Sequence, residues 1–144
     1  EKMKLQIIED ESQKIDGFET VIVNQQNSSL NLDHIPNNSC ELIISKNTLD
    51  STPSSQESLV KICSKLRSGG SIVVSGVELR CFFKDVINGI IKEEDASLLI
   101  GKNLSLSTIG SVKDLLRSLN LFIKSSTING VVYEVTAERR AAVQ

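Results

Sequence analysis

Two sets of polar residues in this chain follow apolar runs and could act together. Ser45, Lys46 and Asn47 come directly after Glu41-Leu-Ile-Ile, and Ser75, Gly76 and Glu78 come after Ser71-Ile-Val-Val. If each run is a buried strand, both sets emerge at strand carboxyl ends, where open α/β sheets bind ligands. Hydroxyl, ammonium and carboxylate groups converging there would suit a small polar ligand. Polar residues also stand at such places simply because the chain returns to water. A third polar point is the acidic run Glu9-Asp10-Glu11. The sequence argues against other chemistries. Cys40, Cys63 and Cys81 form no C-x-x-C, and His34 is the only histidine, so the spacing of a metal clip is missing. The three cysteines read as reduced thiols. No G-x-S-x-G elbow gives His34 a nucleophile to activate. Gly69-Gly70 follows a helical pattern and reads as a helix stop, since a phosphate loop needs a strand before it and Gly-Lys-Ser/Thr at its end. Glu93-Glu94-Asp95 suits the first turn of a helix, where acids complement the dipole.

The elements that would position these groups can be read from periodicity. Lys4–Ile8 and Phe18–Val23 predict two strands, and the link between them is too short for the helix of a full βαβ crossover. The Asn- and Gln-rich stretch Asn24–Asn31 predicts a loop. Glu41–Ser45 predicts a buried strand. Ser54-x-x-Glu57 predicts a capping box, with Leu59, Ile62, Cys63 and Leu66 on one helical face as far as Gly69-Gly70. Ser71–Ser75 then returns as a parallel strand. A helix from Leu79 to Ile91 should bury Phe82, Phe83, Val86, Ile87, Ile90 and Ile91. Glu93–Leu99 adds a short helix closed by Gly101, and Ser111-x-x-Asp114 opens a last one bearing Val112, Leu115, Leu116 and Leu119. Leu121–Ser126 and Val131–Ala137 should pair through a type I′ turn at Asn129-Gly130.

Composition narrows the class further. A chain of 144 residues with 40% hydrophobic and 24% charged residues is one globular domain, drawn as residues 1–144. Four Phe, one Tyr and no Trp leave Ile, Leu and Val to build the core. Eighteen acids against 16 bases give a net charge of −2, which argues against a nucleic-acid binder. No apolar run approaches the ~20 residues of a membrane span, and Glu1-Lys2-Met3-Lys4 opens no signal peptide, so a cytoplasmic protein is expected.

Leu32-Asp-His-Ile-Pro-Asn-Asn-Ser-Cys-Glu-Leu-Ile-Ile-Ser45, a capped helix, and Lys65-Leu-Arg-Ser-Gly-Gly-Ser-Ile-Val-Val74 together resemble the second half of class I S-adenosylmethionine-dependent methyltransferases. In that superfamily a Leu-Pro … Asn-Ser-Phe-Asp phrase leads into strand 4, Leu-Lys-Pro-Gly-Gly precedes strand 5, and a β6–β7 hairpin closes the sheet. The resemblance runs from about Leu30 to Arg139. It implies a Rossmann-like methyltransferase-type α/β sheet, truncated at the N-terminus, with an antiparallel C-terminal hairpin. Cys40, Glu41 and Ser68 depart from the family's Phe, Asp and Pro. The family's Gly-rich cofactor loop after strand 1 has no counterpart, because Gly17 is the only glycine before Gly69. If S-adenosylmethionine is bound, the resemblance points to Asp10, Ser45, Lys46 and Ser75, with Glu9 or Asp10 as the ribose acid should Lys4–Ile8 be strand 2. The passage from Val21 to Gly70 is also similar to the cofactor-free N-terminal domain of anamorsin-like proteins of iron–sulfur assembly.

The reading that follows is a methyltransferase-fold domain without cofactor that acts as a protein-interaction or assembly module. The alternatives are a divergent S-adenosylmethionine-dependent methyltransferase and a structural or regulatory subunit pairing through a sheet edge. No catalytic residue, metal, nucleic acid or membrane is expected. A protein partner or a homodimer is expected, built on sheet surface left bare near Val21, Ile22 and Val23.

Overall fold

The computed structural model describes residues 3–24 and 26–141. Its strands are β1 (Met3–Ile8), β2 (Glu19–Ile22), β3 (Cys40–Lys46), β4 (Leu66–Val77), β5 (Phe122–Asn129) and β6 (Val132–Glu138). Its helices are α1 (Ser55–Cys63), α2 (Leu79–Ile87), α3 (Glu93–Lys102) and α4 (Ile109–Ser118), and two 3-10 turns cover Glu11–Gln13 and Leu49–Ser51. The strands form one sheet in the order β2-β1-β3-β4-β6-β5. β2, β1, β3 and β4 run parallel, and β6 is antiparallel to both β4 and β5. This is the expected Rossmann-like sheet with its antiparallel C-terminal hairpin. Its N-terminal half is reduced, since only a 3-10 turn stands between β1 and β2.

That short link is held by polar side chains. Asp10 caps the 3-10 turn and Gln13 reaches back to the cap backbone. Buried Gln6 accepts from the Ile15 amide at 3.2 Å and donates to Thr20 Oγ1 at 2.8 Å, tying both ends of the link to the sheet. Gly17, at φ +86°, turns the chain into β2, in backbone space that suits glycine.

The core is largely aliphatic, as the composition requires; Tyr133 is the aromatic side chain of its main cluster, and Phe82 is fully buried outside that cluster. Val21 and Val23 lie inside it together with Leu32 and Ile35. The expectation of a bare apolar edge at Val21–Val23 is therefore corrected. The irregular segment before β3 covers the sheet where a helix would otherwise do so.

Three further expectations change. α1 ends at Cys63, and Leu66, although fully buried, is the first residue of β4. Gly69-Gly70 lies within that strand and does not stop a helix. Gly69 sits at φ +82°, and a Cβ on Gly70 would meet the Cys40 carbonyl at 2.7 Å. The glycines thus form a bulge, visible as a register shift between Cys40 and Leu42 against β4. The helix at Leu79 is shorter than expected and buries only Phe82, while Phe83 (47%), Ile87 (82%) and Ile90 (69%) face solvent. The hairpin forms, but Asn129 pairs with Val132, so its two-residue loop is Gly130-Val131. Gly130 (φ +64°) alone has positive φ there, the pattern of a type II′ turn. Smaller shifts occur at helix ends: Gly101 is inside α3.

α4 begins two residues before Ser111, capped by Thr108, whose hydroxyl accepts from the Ser111 amide at 3.1 Å. Thr108→Ala should lower the unfolding free energy by about 1 kcal/mol in urea melts, the usual cost of a lost cap. An unchanged midpoint would show that the cap contributes nothing to α4.

Candidate functional site

In an open α/β sheet the ligand crevice lies where strand order reverses. Here the chain runs from β1 outward to β2 and returns across the sheet to β3, so the reversal lies between β1 and β3. At that place is a cleft of about 310 Å³, lined by Glu9, Asp10, Asn24, Gln26, Ser51 and Lys102. Lys102, the last residue of α3, pairs with Glu9 at 3.7 Å across it. Asn24 donates to the Glu9 carbonyl at 2.9 Å and ties the exits of β1 and β2 together.

The four candidate residues do not converge. Asp10 follows β1, the inner strand at the reversal, and so does not stand at the end of a second strand as a ribose acid would. Its carboxylate accepts from the Ser12 hydroxyl and amide, which hold its pKa below the ordinary value. Ser45 is buried, and its hydroxyl is engaged with Thr48 Oγ1 at 2.7 Å. Lys46 and Ser75 share a register row with Glu134, and Lys46 pairs with Glu134 at 3.4 Å. Successive residues point to opposite faces of a strand, so Ser45 and Lys46 cannot serve one crevice. Of the wider set, Asn47 turns the chain at φ +59° and donates its amide to the Ser75 carbonyl.

Glu78 proves to be a cap for two helices. One carboxylate oxygen accepts from the amides of Arg80 and Cys81 at the start of α2, and the other from the amide of Ile109 at the start of α4. The chain also closes on itself here: Glu78 bridges to Ser107, and the Leu79 amide donates to the Ser107 carbonyl at 3.0 Å.

Sequence reasoning missed Asp50. It lies in the second 3-10 turn at 2% exposure, and its carboxylate accepts from the Val77 amide at 2.9 Å. Burial pushes its pKa up to about 6; the Val77 amide opposes this and the charge of Glu9 adds to it. Among the described residues its second oxygen and the hydroxyl of fully buried Tyr133 meet no hydrogen-bond partner, and both lie about 3 Å from where a Cβ on Gly76 would sit. Burial and the charges of Asp50 and Glu78 push the Tyr133 hydroxyl well above its ordinary pKa. No signal in the sequence marks Asp50, which stands in an irregular segment without periodicity. The cysteines are all free; Cys40 and Cys63 are buried, and burial pushes the Cys63 thiol up to about 12. Among the described residues no group of three or more His, Cys, Asp or Glu side chains is placed to hold a metal ion, and no helix is long and apolar enough to cross a membrane.

No protein-family profile and no curated protein sequence matches this chain. Solved structures do. An S-adenosylmethionine-dependent methyltransferase from Mesorhizobium loti superposes with a TM-score of 0.65 at 11% identity, over 95% of this chain and 90% of that one. A chain of the complex between the Haloferax volcanii Trm112 methyltransferase activator and a methyltransferase gives 0.59 at 8% identity, over 92% of this chain and 66% of that one. An O-methyltransferase family protein from Burkholderia thailandensis gives 0.60 at 10% identity over 88% of this chain, which spans only 37% of its length. The fold is that of the S-adenosylmethionine-dependent methyltransferases.

The chain departs from this methyltransferase fold where the cofactor would bind. The family's Gly-rich loop after the first strand offers open backbone to the cofactor's amino-acid part. Here the amides of Glu9 and Asp10 both donate to Gln13 Oε1, at 2.8 and 3.3 Å, and the Ser12 amide donates to Asp10 at 2.7 Å. The turn consumes its own donors and presents carboxylates instead. These residues do not fit the cofactor as the family holds it.

Proposed function

We propose that this chain is a methyltransferase-fold domain that has lost cofactor binding and works as a protein-interaction or assembly module. The self-satisfied Glu9–Gln13 turn carries this reading. Side chains replace the ligand at the amides, and carboxylates cannot stand in for glycine at a close backbone approach. The exposed apolar side chains of α2 and its exit, Phe83, Ile87 and Ile90, support it. Phe83 and Ile87 stand one turn apart and form a short stripe on α2, with exposed Ile90 just past its end; exposed apolar surface of this kind marks interaction surfaces on soluble proteins. A fold neighbour solved in complex with an activator lends support to a protein partner. The partner is read as a protein docking on this stripe, not on the β2 edge. No iron–sulfur role is assigned, because the three cysteines are not gathered.

The decisive experiment is calorimetric titration with S-adenosylhomocysteine. No binding tighter than about 100 μM, roughly −5.5 kcal/mol, is expected. Tighter binding that is lost on Glu9→Lys would overturn the proposal and favour a divergent methyltransferase using the cleft between β1 and β3.

A further inference from the structure

A second cleft lies at the opposite end of the sheet, at the amino ends of β1 and β2. Its volume is about 590 Å³, and Lys4, Gly17, Phe18, Glu19, Asn38 and Arg67 contribute to its lining. Small-ligand sites usually enclose about 300–1,000 Å³. The side chains of Lys4 and Arg67 form no hydrogen bond or ion pair among the described residues. Arg67 is partly buried and Lys4 exposed, and no carboxylate pairs with either among the described residues. Lys4 Nζ lies 5.9 Å from the centre of the Phe18 ring, which places an ammonium beside a flat apolar wall. Gly17 contributes to the lining, and a Cβ there would meet nothing within 4 Å, so the space beside it is open. Two cations face one carboxylate, Glu19, so the cleft carries a positive excess in a chain whose net charge is −2. The amides of Asn38 and Ser39 are already taken by the carbonyls of Ser64 and Lys65, so the anion contacts must come from the two cationic side chains.

We propose that this cleft binds a nucleoside monophosphate. The phosphate sits between Lys4 and Arg67, whose planar fork suits a bidentate contact with its oxygens. The base lies against Phe18, and Glu19 accepts from a sugar hydroxyl or a base amine. This site is remote from the cleft between β1 and β3, so the inference does not depend on whether S-adenosylhomocysteine binds.

The test is an amide NMR titration of the whole chain with adenosine monophosphate, with inorganic phosphate and adenosine as separate arms. The nucleotide should shift the amides of Lys4, Phe18 and Arg67, and should bind at least about tenfold more tightly than either fragment. Arg67→Ala should weaken it by at least about tenfold while the rest of the spectrum is retained. The proposal is overturned by an absence of shifts up to about 5 mM, equivalent to an affinity weaker than about −3 kcal/mol. It is equally overturned if phosphate alone binds as tightly, if Arg67→Ala has no effect, or if the shifts centre on Glu9, Asn24 and Lys102.

Discussion

Glu78→Ala is expected to lower the unfolding free energy by about 3–6 kcal/mol. The buried carboxylate accepts from three amides, those of Arg80, Cys81 and Ile109. Each of these donors is the start of a helix and has no intrahelical acceptor of its own. Alanine leaves all three without a charged partner, at about 1–3 kcal/mol for each buried donor and less where water reaches it. Glu78→Gln should cost less, because its side-chain oxygen still accepts at one helix while its amide group faces the donor at the other. Urea unfolding with an unchanged m-value is the measurement. Equal midpoints for wild type and Glu78→Ala would mean that the two helices are capped by water.

Asp50→Asn is expected to stabilise the protein at pH 7. The folded carboxyl titrates at about 6, against an ordinary value of 3.8. Below pH 4 both states hold the proton and the group has no effect. Between pH 4 and 6 the unfolded chain releases it and the folded chain does not, so stability falls as pH rises. Above pH 6 the penalty is complete, at about 3 kcal/mol. Asparagine removes this slope, keeps an oxygen for the Val77 amide, and offers a donor toward the Tyr133 hydroxyl. The variant should match wild type at pH 4 and exceed it at pH 7 by about 1–3 kcal/mol. Parallel pH profiles for the two proteins would show that Asp50 is not the source of the slope.

The parts of the fold that could be read from the sequence are those where pattern and packing coincide. Glu41–Ile44, the Ser54 cap and the run at Ile72–Val74 each announce one element, and the β3–α1–β4 unit follows from them. Leu66 misleads because it lies seven residues after Leu59. A helical face and the first inward residue of the next strand place an apolar side chain at the same position. Gly69-Gly70 misleads for a related reason, since both a helix end and a strand bulge need glycine. The cover over Val21 and Val23 comes from Leu32 and Ile35, single apolar residues in an irregular segment that no periodicity reveals. The site was less legible than the fold. The absence of a glycine-rich run before Gly69 could be read directly, but the residue that accepts from the amides of the turn, Gln13, is an ordinary surface type. Asp50 and Glu78 owe their importance to burial and to partners far along the chain, since the Leu104 amide donates to the Asp50 carbonyl and the Ile109 amide to the Glu78 carboxylate.

The closure at Glu78 has a consequence for how this architecture can vary. The chain leaves the sheet at Leu79 and returns at Ser107, directly beside its point of departure. Everything between, including α3 and the apolar side chains of α2, is an excursion from one point of the scaffold. Its length does not set the distance from β4 to α4. Closing a longer loop costs only about 0.6 kcal/mol for each doubling. The outward part of the excursion is therefore a place where segments can be exchanged or lengthened while the six-stranded sheet keeps its register, provided that buried Phe82 and the Leu104 and Ser105 amides that donate to the Asp50 carbonyl are kept.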